Sequence, residues 1–202
     1  MKRLFVTGIG TEIGKTVISA ILTEALQADY WKPVQSGDLH QSDSMKIQSL
    51  TSFDVVIHPE TYRLQTPVSP HYSAAIDGVE IEINKFQIPE TDNHLIVEGA
   101  GGLHVPLNQE YLLIDLIQQL NIPVILVSQN YLGSINHSLL SIEALQSRKI
   151  PIEGIIFNGA ETKSTETYLC SYTGIPCLGR IPVSSEVSQQ FIKKQASAFN
   201  FS

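Results

Sequence analysis

Gly8-Ile9-Gly10-Thr11-Glu12-Ile13-Gly14-Lys15-Thr16 carries the residue types of a phosphate cradle. Backbone N–H groups around Gly14 and the positive end of a following helix can hold phosphate oxygens, Lys15 adds a mobile charge, and the Thr16 hydroxyl suits Mg2+. Five residues separate Gly8 from Gly14, one more than the four of the common loop. Three further positions have chemical potential. Lys32 in Trp31-Lys32-Pro33-Val34-Gln35-Ser36-Gly37 adjoins apolar neighbours, so it is either a functional charge or a stem snorkelling along a sheet edge. Glu98 in Val97-Glu98-Gly99-Ala100-Gly101-Gly102 ends an apolar run before a glycine-rich turn. There a carboxylate can reach Mg2+ while the glycines let the backbone approach a ligand, or it is simply solvated. Asp43 opens a helical stretch and could merely cap it. Asn158 ends another apolar run with an amide suited to an adenine edge, or with a plain turn asparagine.

These residues must be positioned by alternating elements. Apolar runs at Leu4–Val6, Val55–Ile57, Leu95–Val97, Pro123–Val127 and Gly154–Phe157 suit strands buried on both faces. Between them fall helical patterns at Val17–Leu26, Leu112–Leu120 and Ile135–Leu145, the last with Ser134 as expected cap. The alternation predicts an α/β fold, one domain over residues 1–202, with a mostly parallel sheet, helices on both faces, and ligands outside the carboxyl ends of the strands. Pro67, Pro70, Gly78 and Pro89 interrupt the segment Thr66–Thr91, which should hold short helices and loops.

Composition narrows the function. Acidic residues outnumber basic ones 20 to 13 for a formal charge of −7, and no basic cluster exceeds a pair, which argues against nucleic acid as a partner. No long apolar run could span a membrane, and Lys2-Arg3 leads directly into a strand, so a cytoplasmic protein is expected. Cys170 and Cys177 lack metal-site spacing and are expected to be reduced, packed thiols. His71, His104 and His137 match no ligand motif; Trp31 and the seven tyrosines are expected in core or interface.

Taken in order, the motifs resemble the ATP-dependent dethiobiotin synthetase family, a group of P-loop NTPases. The likeness runs from Lys2 to Pro182. It rests on Phe5-Val6-Thr7-Gly8 with Thr11-Glu12-Ile13-Gly14-Lys15-Thr16-Val17, on Lys32-Pro33-Val34 with Ser36-Gly37, on Ser69-Pro70-His71, on Glu98–Gly102, and on Leu132-Gly133-Ser134-Ile135-Asn136-His137. The resemblance implies closure of a cyclic urea on 7,8-diaminononanoate with CO2 and ATP, giving dethiobiotin, ADP and phosphate in biotin synthesis. It implies catalytic roles for Lys15 and Lys32, holding γ-phosphate and carbamate, and Mg2+ ligation by Thr16, Asp43 and Glu98. Nucleotide contacts are implied for Glu12, Ile13, Gly14, Val17, Gly99, Ala100 and Gly101, with Asn158, Gly159, Pro182, Val183 and Ser184 around the base. Thr11, Glu12 and Ser36 match positions near the diamine. The family's sites lie at a homodimer interface, so Leu132, Gly133, Ser134, Ile135, Asn136 and Tyr168 would serve the partner's substrate.

The chain also departs from that pattern. Sixteen residues separate Lys15 from Lys32, which requires a trimmed first helix, second strand or connection. Val79–Asn93 is short and carries Pro89, and Gly159 stands where an aspartate is frequent, which predicts relaxed base specificity. A nucleotide-switched scaffold ATPase of the partitioning or positioning type shares the lengthened loop, but it needs a second lysine where this chain has Gly10, and no basic amphipathic tail follows. A cobyrinate-amidating ligase needs an amidotransferase domain for which 202 residues leave no room.

Overall fold

The computed structural model describes residues 1–199. In chain order the elements are β1 (Arg3–Gly8), α1 (Lys15–Leu26), β2 (Asp29–Trp31), β3 (Val34–Ser36), α2 (Asp43–Leu50), β4 (Ile57–His58), β5 (Tyr62–Leu64) and α3 (Pro70–Asp77). They continue with β6 (Leu95–Gly102), α4 (Leu113–Leu120), β7 (Val124–Gln129), α5 (Ser134–Ser147), β8 (Ile152–Asn158), α6 (Lys163–Thr173), β9 (Cys177–Ile181) and α7 (Gln189–Ala196). Seven strands form one sheet in the order β4-β2-β6-β1-β7-β8-β9, every pairing parallel. β3 and β5 make a separate parallel pair.

Strand alternation sorts the core into two faces. Phe5, Trp31 and Val97 join Leu113, Leu116 and Ile117 of α4 on one side. Leu4, Val6, Tyr30 and Ile96 join Ile18, Ile21 and Leu22 of α1, with Ile192 of α7, on the other. Both faces are covered, which is why the strands read as continuous apolar runs. Each fully buried isoleucine or leucine of α1 contributes roughly 1.5–3 kcal/mol relative to exposure, more than helix propensity can supply in twelve residues. A third cluster, Leu126, Ile142, Ile155, Phe157 and Leu169, seats α5 and α6 on the β7–β8 side.

Several expectations change. The run Val55–Ile57 yields only the two-residue edge strand β4. The glycines after Glu98 do not turn; β6 continues through Gly102, with a register shift against β1 opposite Val6–Gly8. Ser134 is not the cap of α5: Gly133 takes that position in a left-handed conformation, and Ser134 is the first helical residue. Asp43 does not cap α2, because the Ser42 hydroxyl accepts from the Met45 N–H. Cys170 is half-buried but Cys177 is exposed, both as free thiols. The short Lys15–Lys32 interval is absorbed by a two-residue connection between α1 and β2, where Gln27 adopts a left-handed conformation, and by the three-residue length of β2. Thr66–Thr91 holds α3 and a single 3-10 turn, Ile83–Lys85, as its prolines and glycine require.

Candidate active site

The carboxyl ends of β1, β2 and β6 converge on a cleft of about 680 Å³. Register explains the convergence. Val6 pairs with Glu98, and Trp31 pairs with Val97, so Lys32, one residue beyond β2, comes level with Glu98. Alternation then puts Tyr30 and Lys32 on one face of β2 and Ile96 and Glu98 on the same face of β6, the face against which α1 presents Thr16.

The phosphate loop leaves β1 at Gly8 and enters α1 through Gly14, whose φ of 89° is left-handed. A Cβ on Gly14 would lie 2.1 Å from the Asn158 amide nitrogen, so this position needs glycine on two counts. Glu12 also has positive φ, 59°, a conformation that stores strain in a non-glycine residue at a functional loop. Lys15 curls back, its ammonium donating to the Gly10 carbonyl at 2.9 Å. Burial lowers its pKa to about 8; the Lys32 charge adds to that, while Glu98 and Asp43 oppose it.

Glu98 is the hub. It is 1 % exposed and Lys32 is 4 % exposed, so neither the solvated turn carboxylate nor the snorkelling lysine survives. Glu98 Oε1 accepts from Thr16 Oγ1 at 2.9 Å and from Lys32 Nζ at 2.9 Å. Its Oε2 accepts from the Tyr30 hydroxyl at 2.8 Å. Lys32 Nζ also pairs with Asp43 Oδ2 at 2.7 Å, and Lys46 holds Asp43 Oδ1 at 3.2 Å. Burial alone would neutralise Lys32, but Glu98 and Asp43 outweigh it and hold the ammonium above its ordinary pKa. Burial would likewise raise Asp43, yet Lys32 and then Lys46 bring its carboxyl down to about 2.

Of the residues singled out from sequence, Thr11, Glu12, Gly14, Lys15, Thr16 and Val17 line this cleft from the loop. Lys32, Ser36, Asp43, Glu98, Ala100 and Gly101 line it from the other elements. Ile13 is buried in the core and Gly99 packs on Phe5 and Leu113. Asn158 donates to the Ile13 carbonyl at 2.9 Å, bracing the phosphate loop while leaving its Oδ1 outside that bond. Gly159 and Pro182–Ser184 follow β8 and β9 and do not line the cleft; nor do Leu132–Asn136 and Tyr168. Leu132 is fully exposed, and the exposed Tyr168 stacks on Tyr172 with centroids 5.5 Å apart. Sequence reasoning missed Tyr30, Gln35 and Lys46. The signals were present: Tyr30 is two residues from Lys32 on one strand face, and Lys46 stands three residues from Asp43 on a helix. Gln35 ties the Gly37 carbonyl to the Asp43 N–H, fixing α2 against the end of β3.

The donor set Thr16, Asp43 and Glu98 is all oxygen, two of its members carboxylates, and in this structure the Lys32 ammonium bridges the two. That composition fits Mg2+, which favours hard oxygen ligands.

A phosphate loop between β1 and α1, a parallel sheet covered on both faces and a cleft at the strands' carboxyl ends define a P-loop NTPase. A family profile described as an AAA domain matches residues 2–190. The ATP-dependent dethiobiotin synthetase BioD of Christiangramia forsetii is 50% identical over 199 residues, covering 98% of this chain and 96% of that protein. That of Cytophaga hutchinsonii is 47% identical over 198 residues, covering 97% and 96%. The chain belongs to the ATP-dependent dethiobiotin synthetase family. Among solved structures, the cell division ATPase MinD of Pyrococcus furiosus has a TM-score of 0.61 at 14% identity, covering 98% of each chain. MinD of Pyrococcus horikoshii, complexed with Mg-ADP, has a TM-score of 0.62 at 14% identity, covering 96% of this chain and 94% of that one. At that identity the likeness is one of fold. Among the described residues no helix is long and apolar enough to cross a membrane.

Proposed function

We propose that the chain closes the cyclic urea of dethiobiotin on 7,8-diaminononanoate, consuming CO2 and ATP and releasing ADP and phosphate. The observation that carries this reading is Lys32, a buried, fully charged ammonium held beside the phosphate loop by two carboxylates and aimed into the cleft. One substrate amine adds to CO2 and loses a proton to give a carbamate. A carbamate oxygen then attacks the γ-phosphorus as the bond to ADP breaks. The second amine finally attacks the activated carbonyl carbon, phosphate leaves and a proton is released. No protein nucleophile enters this sequence, so the work left to the chain is positioning and charge.

The obstacle is a carbamate anion approaching a polyphosphate. A single pair of unit charges ~4 Å apart repels by ~4 kcal/mol at an effective dielectric of ~20. Lys15, from the loop, and Lys32, from the end of β2, would offset it. Thr16, Asp43 and Glu98 would hold Mg2+, directly or through water; when bound it supplies charge neutralisation at the phosphates. Ser36 Oγ is buried with no hydrogen-bond partner among the described residues, which leaves it available to the diamine or its carbamate, beside Thr11 and Glu12 at the mouth of the loop. Asn158, Gly159 and Pro182–Ser184 form the proposed surroundings of the adenine.

The proposed working unit is a homodimer in the cytoplasm. The exposed Leu132–Asn136 segment at the start of α5, and Tyr168, would reach the partner's substrate, where backbone N–H groups at a helix start suit a carboxylate. Purified chain given ATP, Mg2+, bicarbonate and the diamine is expected to release phosphate one-for-one with the cyclic urea. Phosphate release that does not depend on the diamine would sink the reading and favour a nucleotide switch.

A further inference from the structure

We propose that Tyr30 is a positioning residue for the cation-binding carboxylate: its hydroxyl engages Glu98 Oε2 and thereby commits Oε1 alone to Thr16, Lys32 and the cleft. The inference rests on the Mg2+ reading above. Tyr30 is fully buried in the apolar cluster that also holds Leu4, Val6, Ile18 and Ile96. Packing against such residues requires a ring and no hydroxyl. The hydroxyl donates to Glu98 Oε2, 2.8 Å away, and has no other hydrogen-bond partner among the described residues.

Glu98 has two oxygens and three donors. Oε1 takes Thr16 and Lys32, and Oε2 takes Tyr30. Without the hydroxyl, Oε2 becomes a buried anionic oxygen lacking a donor, a condition that costs more than an ordinary hydrogen bond contributes. The carboxylate would then rotate to share Lys32 or Thr16 between its two oxygens, and Oε1 would lose its fixed direction. The Tyr30 hydroxyl donates to this carboxylate from one side, complementing the Thr16 hydroxyl on the other oxygen. Outer partners that orient a ligating carboxylate in this way change metal affinity by roughly 10- to 100-fold when removed.

The test is calorimetric titration of a non-hydrolysable ATP analogue at stepped Mg2+ concentrations, repeated in chelator. Tyr30→Phe is expected to bind the analogue as the unsubstituted chain does in chelator, and to raise the Mg2+ concentration of half-effect by about 10- to 100-fold. An unshifted Mg2+ midpoint, or an equal loss with and without Mg2+, overturns the positioning role. Glu98→Ala and the double variant Tyr30→Phe with Glu98→Ala supply a second arm, which stands even if Tyr30→Phe alone does not fold. With no side-chain oxygen at position 98 the hydroxyl has nothing to orient, so the two should share one midpoint, and a further shift in the double variant overturns the proposal. If the unsubstituted chain binds the analogue with no Mg2+ dependence, the cation reading falls and this one with it. Mg2+-dependent binding that Tyr30→Phe leaves untouched removes Tyr30 alone.

Discussion

Replacing Lys32 by Met keeps most of the side-chain length and removes the charge. Two consequences follow from the geometry, and they separate. Lys32 pairs with Glu98 at 2.9 Å and Asp43 at 2.7 Å, and breaking a buried pair costs ~3–5 kcal/mol. The loss here belongs at the low end, because Glu98 retains the hydroxyls of Thr16 and Tyr30 and Asp43 retains Lys46. For a chain of this size ~3 kcal/mol lowers Tm by ~6–12 °C, a shift that thermal unfolding reads directly. Catalysis suffers more: leaving one carbamate–phosphate repulsion of ~4 kcal/mol unscreened lowers kcat by ~10^3. The assay is phosphate release and cyclic-urea formation at saturating ATP and diamine, with thermal unfolding run in parallel. Lys32→Arg should recover part of kcat, since it keeps the charge while changing its shape. If Lys32→Met unfolds cooperatively yet turns over within a few-fold of the unsubstituted chain, then electrostatic screening by Lys32 is not what drives the reaction.

Lys15 gives a pH prediction. Its folded pKa, about 8 against an ordinary 10.5, means that its burial penalty is complete below about pH 8 and fades as pH rises to about 10.5, so stability should rise across that window; urea unfolding of the unsubstituted chain should show this slope and Lys15→Met should flatten it. Nucleotide phosphates must restore the charge, so calorimetry at pH 8.5 in buffers of different ionisation enthalpy should detect proton uptake on ATP binding, and equal heats in both would contradict it. Gly14→Ala puts a methyl group 2.1 Å from the Asn158 amide in a left-handed backbone, a strain of about 1–3 kcal/mol. Urea unfolding should show that loss together with a weakening of ATP binding of at least about tenfold, and an unchanged nucleotide Kd would mean that the loop does not need its present shape.

The sheet was legible where both faces are buried, because a strand such as Leu4–Val6 or Val124–Val127 announces itself as an uninterrupted apolar run. Strands with mixed composition were not. β2 reads Asp-Tyr-Trp and β9 Cys-Leu-Gly-Arg-Ile, and no periodicity marks either; pairing with β6 and β8 makes them strands. α6 and α7 were missed for a related reason. Their outward faces are polar and few residues are buried, Glu166 and Leu169 in one and Ile192 and Ala196 in the other, so tertiary packing rather than local pattern decides them.

The site divides along the same line. A glycine-rich loop before a lysine and a hydroxyl is a local pattern, and sequence locates it to the residue. Whether Lys32 or Glu98 is functional is a question of register, because each has a bland reading until Trp31 is known to pair with Val97. Once that pairing is fixed, Lys32 must lie beside Glu98, and two opposite charges buried within 3 Å cannot both be surface ornaments. The partner that register brings along, Tyr30, has no local motif at all: its relevance follows only from a carboxylate oxygen that would otherwise lie buried without a donor. Residues that satisfy another residue's chemistry are therefore the ones a sequence hides best. In this chain they are also what distinguishes the cleft from a bare phosphate loop, since the Tyr30–Glu98–Lys32–Asp43 chain of bonds fixes a buried ammonium between two carboxylates beside that loop.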